Sequence, residues 1–554
     1  MTLPVTGEAR SRDAPVLAAR VTIGLLVVVG LFLRIWILGR APINSDQAVV
    51  GLMAREILHG HFFAFYWGQR YGGGEPYLVA VLFALFGQSR LVLGIAPILL
   101  DGAAALLVWR IGWRLFDARV GALAALIFWL WPEVYLYLST VEYGFRLATL
   151  VCGLLVVLFA LRLTESQASR HVDWAVLGLA AGLGWWCSPE IVYLVLPAAI
   201  WLAYCALRGR LRLRLPGVGL AAAAVLLGAL PWLAVNVGHR YPSLRTPSAV
   251  LHGSTFTQRL VTYFSHVAPL ALGLRLRSNG GWLVPSPLGF ALYVLLGALL
   301  VVWSVVLAYR RRVLLPVLWL APFPFLYAYS SYAVYWNDGR YALYLAPLLA
   351  LLVASGVYGF RAWSRLPGRF GRCLPALAVI VALAMSLTAA ARLAPYTPLA
   401  SSGGARSTWT SWRADPNQEW LGPLARALEG SHVSHAYAGY WVAYVLTFES
   451  KGKVVASDPG DSRYPPYLAA VERSPRQAWV FARPSTLHEL NTIAGAHQWD
   501  PSIGLDDFER ALDGRRVPYR SAVSGLFEVV YPRRAVSFGS LLAALRTQTN
   551  GPPR

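Results

Sequence analysis

Two carboxylates are placed to do chemistry in a polar stretch near the start of the chain, residues 42–77. Asp46 follows an Asn-Ser pair, a pattern that offers side-chain oxygens to the free N–H groups of a helix start. Glu75 follows three glycines and precedes a proline, so it belongs to a turn. Acids at a membrane surface beside Tyr, Trp and Arg can form a concave polar site. The plainer alternatives are a helix cap for Asp46 and a solvated turn for Glu75.

The residues after Asp46 predict an amphipathic helix that lies in the membrane interface. Apolar side chains recur every three or four residues, polar side chains take the other faces, and Gly60 is a plausible end. The apolar stripe consists of Val49, Leu52, Met53 and Ile57. Residues 62–67 then supply five aromatic side chains, which are typical of anchors at the level of the lipid headgroups.

Other polar residues gather on the same side of the membrane and are candidates for a binding site. Seven of the 13 acidic residues before Pro395 fall there. The candidate substrate-binding residues are Arg70, Glu75, Glu142, Tyr143, Arg146, Asp338 and Arg340. Glu142, Tyr143 and Arg146 could instead pair within one helical turn for structure alone. Arg340 could be an ordinary interfacial anchor.

A metal site has no support in the residue pattern. His239, His252 and His266 share one long loop, but their spacing fits no compact metal-binding signature. Asp101 stands alone inside an apolar span and is expected to find its partner on a neighbouring helix. Cysteines occur only within or at the ends of apolar spans, which argues against a disulfide framework: Cys152, Cys187, Cys205 and Cys373.

The elements that must hold these residues are mostly membrane spans. The 554 residues are 57% hydrophobic and only 14% charged, with a mean hydropathy of +0.51. A soluble protein carries about 25% charged residues. Apolar runs of about 20 residues, long enough to cross a bilayer, recur from Val21 to Arg392. The chain is therefore predicted to be a polytopic α-helical membrane protein with about 11 transmembrane helices over residues 21–394.

The charge distribution orients these spans and excludes nucleic acid as a partner. The net charge is +22, but residues from Pro395 onward contribute only +3. The remaining +19 sits largely in short arginine-rich loops, which is the positive-inside pattern. Residues 1–20 are then cytoplasmic, and the long loops at 41–90 and 236–285 lie outside. The predicted location is the cell inner (plasma) membrane.

The C-terminal part predicts a small extracytoplasmic α/β domain. Residues 395–417 read as a Pro/Ser/Gly-rich linker, residues 418–546 alternate helical and strand-like segments, and residues 547–554 form a loose tail. The expected strands are Val433–Tyr437, Val454–Ala456, Ala478–Phe481 and Phe527–Tyr531. Neither GxGxxG nor a P-loop occurs, so nucleotide binding has no support.

Three stretches resemble the GT-C superfamily of membrane glycosyltransferases, more narrowly its protein mannosyltransferases and aminoarabinose transferases (glycosyltransferase family 39-like bacterial proteins). In the first loop an Asp opens an interfacial helix with an A-R-E segment, here residues 54–56, before a Gly/Pro-rich turn and a hydrophobic span. Residues 338–347 resemble the R-Y-x-L-x-x-x-P start of a late span. Residues 438–444, AGYWVAY, resemble the external domain of bacterial relatives.

The resemblance implies an inverting transfer of a sugar from a polyprenyl-phosphate-linked donor to an acceptor on the external face. Asp46, which matches the family's Asp, is then the general base that a weakly nucleophilic hydroxyl needs. The leaving phosphate needs cationic groups, with Arg340 the first choice and Arg70 and Arg146 next. Many relatives have two successive acids here, whereas Gln47 follows Asp46. That departure leaves a second carboxylate or a divalent metal ion in question.

The expected partners are a lipid-linked sugar donor, membrane lipids, and an envelope glycan, lipid or protein as acceptor. One alternative is a flippase or transporter of a lipid-linked glycan, although the acids gather on one side and no inverted repeat is found. Another is a non-catalytic membrane scaffold whose external domain binds an envelope partner. The residues do not specify the sugar or the acceptor.

Overall fold

The computed structural model describes residues 9–130, 132–165, 171–241, 243, 254–277, 280–310, 313–330, 333, 339–363, 368–393, 416–487, 490 and 499–549. The chain divides into two compact units. The helical unit comprises Met1–Ile37, Ile95–Thr140 and Phe145–Leu393. The loop–sheet unit comprises Leu38–Gly94, Val141–Gly144 and Ala394–Arg554. The first predicted external loop, 41–90, therefore belongs to the same unit as the C-terminal segment.

The α-helices of the described residues follow in chain order. They are α1 (Ala9–Arg40), α2 (Ser45–Leu58), α3 (Glu75–Phe86), α4 (Arg90–Leu93), α5 (Ile95–Leu115), α6 (Ala118–Trp129), α7 (Glu133–Leu138), α8 (Arg146–Glu165), α9 (His171–Cys187), α10 (Val192–Leu207), α11 (Leu215–Gly228), α12 (Leu230–Gly238), α13 (Phe256–Thr262), α14 (Ala268–Ala271), α15 (Ser286–Arg310), α16 (Leu315–Leu320), α17 (Phe323–Tyr329), α18 (Ala346–Trp363), α19 (Gly368–Leu393), α20 (Pro416–Gly430), α21 (Tyr440–Glu449), α22 (Pro465–Arg473), α23 (Leu505–Gly514) and α24 (Phe538–Thr549). Shorter 3₁₀ turns cover Pro189–Ile191, Ala342–Leu345 and Pro484–Thr486, and a π-helical turn covers Tyr263–Val267.

Within the part that the structure describes, seven helical stretches are long and apolar enough to cross a membrane. They are Arg20–Arg40, Arg90–Leu115, Arg146–Glu165, Pro189–Leu207, Ser286–Arg310, Ala342–Gly359 and Cys373–Leu393. The pair α11 and α12, bent by 66°, makes an eighth if it is one span. Three shorter apolar helices are Glu75–Phe86, Ala118–Trp129 and Leu315–Tyr329. The polytopic α-helical class is confirmed, and the count of about 11 spans stays a prediction.

Small residues let helices of the helical unit approach closely. A Cβ at Gly178 of α9 would stand 2.2 Å from the Ala221 carbonyl oxygen of α11. One at Gly182 would stand 2.2 Å from the Val225 carbonyl oxygen. Membrane helices use glycine in this way because van der Waals packing, rather than the hydrophobic effect, drives their association.

The buried acid in the helical unit has the partner that was expected on a neighbouring helix. Asp101 of α5 lies 2.7 Å from a guanidinium nitrogen of Arg34 on α1. Arg34 also donates to the Trp129 carbonyl at 3.0 Å, and its guanidinium carbon lies 3.8 Å from the Trp129 ring centroid. The structural interpretation of Asp101 is confirmed.

The loop–sheet unit contains a five-stranded sheet in the order β2-β1-β3-β5-β4. Its strands are β1 (His435–Ala438), β2 (Val455–Ser457), β3 (Ala478–Ala482), β4 (Tyr519–Ser524) and β5 (Phe527–Pro532). Strand β1 pairs in parallel with β2 and β3, whereas β5 pairs antiparallel with β3 and β4. Buried aromatic side chains form the core beside this sheet: Tyr437, Trp479, Phe481 and Phe508. The predicted α/β class and the four predicted strands are confirmed, and β4 was missed.

Helix α2 is buried over most of its length, which differs from the one-sided helix expected from the sequence. Gln47, Val50 and Ala54 are buried along with Val49, Leu52 and Met53 of the predicted apolar stripe, whereas its last member, Ile57, is only partly buried. The reason is that α2 packs against both α3 and α21. A Cβ at Gly51 would lie 2.4 Å from the Phe448 ring, so α21 sits directly on the α2 backbone.

The aromatic run of the first loop also differs from the expected row of headgroup anchors. Tyr66 and Trp67 are buried, and Trp67 stacks on Tyr464 with ring centroids 3.9 Å apart and an interplanar angle of 5°. Phe62 alone among the large apolar rings of this run is strongly exposed, at 67%. The first loop is thus fastened to the C-terminal segment.

Some sequence expectations lie wholly or largely outside the described residues. They include His252, Asp338, most of the predicted linker 395–417 and part of the predicted tail 547–554.

Candidate functional site

Asp46 is not the cap of its helix, so that alternative is wrong. The side chain of Asn44 accepts a hydrogen bond from the Gln47 backbone N–H at 3.1 Å and caps α2. Asp46 lies in the first turn, where the helix dipole favours a negative charge. Its carboxylate is therefore available for other contacts.

One oxygen of Asp46 is held by a tyrosine from the C-terminal segment. The Tyr440 hydroxyl donates a hydrogen bond to Asp46 Oδ1 at 2.5 Å. The other carboxylate oxygen, Oδ2, has no hydrogen-bond partner among the residues that the structure describes. Tyr66 donates to the Asp46 backbone carbonyl at 2.9 Å. Asp46 thus has one fixed oxygen and one open oxygen.

Both tyrosines are neutral donors. Burial first, and then the charge of Asp46, raise the pKa of Tyr440 well above the ordinary value of 10.0. The same two causes, in the same order, raise the pKa of Tyr66. A phenol that stays protonated near neutral pH donates to a carboxylate and does not compete with it for protons.

The backbone of Tyr440 is anchored on both sides. Its N–H donates to Asp458 Oδ2 at 3.0 Å, and its carbonyl accepts from the Ser45 hydroxyl at 2.5 Å. Asp458 Oδ1 in turn accepts from the Gly460 N–H at 2.8 Å and from the Ser502 hydroxyl at 2.7 Å. Because Tyr440 begins α21, Asp458 satisfies one of the free N–H groups of that helix from another loop.

Arg463 brings a cation to the same cluster. Its guanidinium carbon lies 4.9 Å from the centroid of the Tyr440 ring, within cation–π range. Burial lowers the pKa of Arg463, but the charges of Tyr440, Asp461, Tyr66 and Asp46 raise it more, so the net pKa lies above the ordinary arginine value and the group is cationic. Its buried Nε has no hydrogen-bond partner among the described residues.

The first loop leaves room for Arg463. Gly68 has a φ of +74°, and a Cβ there would lie 2.4 Å from Arg463 Cδ. The Arg463 backbone N–H donates to the Tyr444 hydroxyl at 2.6 Å. Loop backbone on one side and α21 on the other therefore fix the position of this arginine.

Glu75 and Glu142 form a second, fully buried acidic group, so the solvated-turn alternative for Glu75 is wrong. Glu75 is 2% exposed at the start of α3, and Glu142 is 0% exposed. The two carboxyl groups are hydrogen-bonded, and Glu142 Oε1 accepts from the Gly144 N–H at 2.7 Å. Burial, and then the charge of Glu75, raise the pKa of Glu142 well above 4.5. Since two carboxylates in contact cannot both be ionised in a buried site, the pair holds a proton.

Gln47 connects Asp46 with the Glu75–Glu142 pair, because it follows Asp46 in the chain and bonds the backbone of Glu142. Its side-chain oxygen accepts from the Glu142 backbone N–H at 3.4 Å, and the side chain is 5% exposed. A carboxylate at position 47 would lie against Glu142, and its negative charge would be repelled by the charge that the Glu75–Glu142 pair already carries. A neutral amide avoids that repulsion.

The other predicted residues of the loop–sheet unit are Arg70 and Tyr143. Arg70 is exposed on the first loop, and Tyr143 is 8% exposed beside Glu142 in the chain. Of the predicted set, this unit therefore contains Asp46, Arg70, Glu75, Glu142 and Tyr143, of which Glu75 and Glu142 are in contact. Among the described residues, no group of three or more His, Cys, Asp or Glu side chains is placed to hold a metal ion.

The helical unit holds Arg146 and Arg340. Arg146 begins α8, and its Nε lies 3.8 Å from Glu190 Oε2. Tyr344 donates to the same Glu190 oxygen at 2.7 Å. Arg340 is half-buried and follows Gly339, whose φ is +68°. The alternative of a single helical turn shared by residues 142–146 is wrong, because α8 begins only at Arg146.

The helical unit also contains a cavity of about 360 Å³. Its walls are largely apolar, with Glu133, Arg275 and Arg392 as the charged groups. Glu133 Oε2 and Arg275 Nε are buried without a hydrogen-bond partner among the described residues. Burial raises the pKa of Glu133, which the charges of Arg277 and Arg392 partly offset.

Sequence reasoning missed the partners that the C-terminal segment gives to Asp46. Tyr440 lies in the AGYWVAY stretch, so the resemblance pointed to the segment but to no role for the tyrosine. Arg463 and Asp458 lie in a loop with no motif. In the helical unit, the contact of Tyr344 with Glu190 was also missed, although Tyr344 belongs to the motif at residues 338–347.

Comparison with known proteins gives a consistent result. Residues 74–234 match the family described as dolichyl-phosphate-mannose-protein mannosyltransferase. A protein from Pseudomonas savastanoi pv. phaseolicola, named undecaprenyl phosphate-alpha-4-amino-4-deoxy-L-arabinose arabinosyl transferase, is 29% identical over 238 residues, which cover 41% of this chain and 42% of that protein. A protein of the same name, numbered 1, from Sodalis glossinidius is 31% identical over 153 residues, which cover 27% of this chain and 26% of that protein. The matches thus span less than half of either relative's length.

Solved structures extend the similarity to nearly the whole chain. The crystal structure of ArnT from Cupriavidus metallidurans bound to undecaprenyl phosphate aligns with a TM-score of 0.57 and 13% identity. The alignment covers 92% of this chain and 97% of that one. The apo structure of the same protein aligns with a TM-score of 0.54 and 12% identity. The resemblance seen in the sequence is confirmed, and the chain is a multi-pass membrane protein with the GT-C glycosyltransferase fold.

Proposed function

We propose that this protein transfers a sugar from a polyprenyl-phosphate-linked donor to a cell-envelope acceptor on the external face of the membrane, with inversion and with Asp46 as general base. The observation that supports this role is the asymmetry of the Asp46 carboxylate. Oδ1 is held by the Tyr440 hydroxyl at 2.5 Å, while Oδ2 has no partner among the described residues. A general base needs one oriented oxygen free to receive a proton.

The reaction follows from that arrangement. The acceptor hydroxyl oxygen attacks the anomeric carbon of the sugar, and its proton passes to Asp46 Oδ2. The bond between the anomeric carbon and the phosphate oxygen breaks on the opposite side, so the configuration inverts. Polyprenyl phosphate leaves with the bonding electrons and gains negative charge.

Cationic side chains would stabilise that leaving phosphate. Arg340 is the first candidate, and Arg70 and Arg146 follow, because guanidinium groups bind phosphate with paired N–H donors. Arg146 is buried and already lies near Glu190. Arg70 is exposed in the same unit as Asp46. Glu75, Glu142, Tyr143 and Asp338 remain candidates for contacts with the sugar or acceptor.

The comparisons support the donor class. The curated relatives are named as undecaprenyl phosphate aminoarabinose transferases, and a structure with the same fold was solved with undecaprenyl phosphate bound. We accordingly place the protein in the inner membrane, with the N-terminus cytoplasmic and the C-terminal segment extracytoplasmic. The acceptor is an envelope glycan, lipid or protein.

The proposal is tested with the full-length protein in liposomes. A panel of labelled polyprenyl-phosphate sugars is offered together with envelope extract, and label transfer is compared between wild type and Asp46→Asn. We expect one donor to be turned over by the wild type and a loss of about 100-fold or more in the variant, which cannot accept the proton. Movement of lipid across the bilayer without any transfer would favour a flippase, and equal turnover by both proteins would remove Asp46 from its role.

A further inference from the structure

We propose that Tyr440 and Arg463 are positioning residues for Asp46, and that delivering them to the active site is a function of the C-terminal segment. This inference rests on the proposed function, since it concerns how the base of that reaction is oriented. The two residues come from α21 and from the loop before α22, more than 390 positions after Asp46 in the chain.

Tyr440 is fixed at every polar atom. Its N–H bonds Asp458, its carbonyl bonds Ser45, and its hydroxyl bonds Asp46 Oδ1. The side chain is also buried, at 5% exposed. A tyrosine side chain has only two rotatable bonds, so these contacts leave the hydroxyl a single position.

The fixed Tyr440 hydroxyl orients the carboxylate of Asp46. A hydrogen bond to Oδ1 sets the rotation of the Asp46 carboxyl group and directs Oδ2 away from the tyrosine. The carboxylate is thus held in one orientation before the acceptor hydroxyl arrives, which is how preorganisation lowers a barrier.

Arg463 acts through the ring of Tyr440. Its guanidinium lies 4.9 Å from the ring centroid, and its side chain is only 20% exposed. The space it occupies exists because position 68 is glycine with a positive φ. A cation beside the ring polarises the phenol and strengthens its donation to Asp46.

The test is a set of kinetic cycles on the full-length protein, with whichever labelled polyprenyl-phosphate sugar of the liposome panel the wild type turns over. Tyr440→Phe removes only the hydroxyl, and we expect kcat to fall by about 10- to 100-fold, the loss of one hydrogen bond to a charged group. The KM for the donor should stay unchanged, because the ground state does not need an oriented base. Tyr437→Phe is the matched control, since this buried tyrosine hydroxyl has no hydrogen-bond partner among the described residues and should be dispensable.

The decisive comparison is the double variant with Asp46→Asn. If Tyr440 acts through Asp46, then Tyr440→Phe has no further effect once the base is gone. A merely structural tyrosine would instead lower the residual rate by the same factor in both backgrounds. That additive result, or an unchanged kcat in Tyr440→Phe, would overturn the inference while leaving Asp46 as the base.

Arg463 is tested by rescue. Arg463→Gln should lower kcat, and Arg463→Lys should restore part of the loss, because lysine keeps the charge but lacks the planar group that lies over the ring. Thermal unfolding of each variant in detergent shows whether it is folded. Loss of activity in Asp46→Asn alone, with normal rates in the Tyr440 and Arg463 variants, would leave the proposed function standing and reject the inference.

Discussion

At the scale of single residues, the side chain of Asn44 determines what Asp46 can do. Asn44 takes the capping role, so Asp46 lies one step inside α2 with its carboxylate directed to Tyr440. The local Asn-Ser-Asp pattern was enough to predict the helix start. It could not show which of the three residues caps the helix, because all three side chains can accept the same hydrogen bonds.

The buried carboxyl pair leads to a prediction about pH. In the wild type, folding raises the pKa of Glu142. The protonated form of Glu142 therefore contributes stability that is fully present below pH 4.5, the ordinary pKa, and is lost as the pH rises through the raised pKa. The amide introduced by Glu142→Gln donates to Glu75 at every pH. The fall in Tm between about pH 5 and about pH 9 should therefore be smaller in the variant, by about 2 °C or more for each 1 kcal/mol recovered.

Thermal unfolding in detergent at several pH values measures this difference. Glu429→Gln is the control, because Glu429 lies on the surface and pairs only loosely with Lys453, at 3.7 Å. The control should follow the wild-type curve. A variant curve parallel to wild type from acid to alkaline pH would show that the pair does not hold a proton.

At the scale of elements, close backbone approach holds α9 and α11 together. Gly182→Ala places a Cβ 2.2 Å from the Val225 carbonyl oxygen, so the helices must move apart. We expect a loss of about 1–3 kcal/mol, as for other overpacked sites. The control is Gly219→Ala in α11, whose new Cβ would have no atom within 4 Å. This change should leave the stability of the protein unchanged or raise it.

The Tm values of Gly182→Ala and Gly219→Ala, measured in the same detergent, are compared, and we expect the Tm of Gly182→Ala to be lower. Equal Tm values would mean that α9 and α11 are not packed through these glycines.

Sequence patterns predicted some elements well and others poorly, for physical reasons. Strands β3 and β5 are buried apolar runs and were found within about one residue of their ends. Strand β4 was missed because it lies at the sheet edge, where Arg520 and Ser521 are exposed and no apolar alternation marks it. Helix α2 was found, but its second buried face was not, since that face is covered by a helix nearly 400 residues later.

At the scale of the whole molecule, the arginine-rich loops predict which parts face the cytoplasm. Single cysteines can test this in a variant that lacks the four native cysteines. In intact cells made permeable only at the outer membrane, we expect Val523→Cys in β4 to react with an impermeant maleimide, because Val523 is 62% exposed in the segment predicted to be extracytoplasmic. Arg210→Cys, in an exposed loop predicted to be cytoplasmic, should react only after the inner membrane is opened.

Labelling of both positions from the same side would contradict the predicted orientation. The class of the membrane part follows from composition, and its orientation is predicted from charge; both are properties of the whole chain. The site does not follow from them, because Asp46 and Tyr440 meet across 394 positions and share no local pattern. Only the folded chain brings them together.

The central claim is that Asp46 accepts the proton in sugar transfer, and its most direct measurement is the initial rate of polyprenyl phosphate release at saturating donor. Wild type, Asp46→Asn and Asp507→Asn are compared, the last being an exposed carboxylate of the same unit. We predict that Asp507→Asn keeps the wild-type rate and that Asp46→Asn binds donor but loses about 100-fold or more of the rate. A wild-type rate in a folded Asp46→Asn protein would contradict the account.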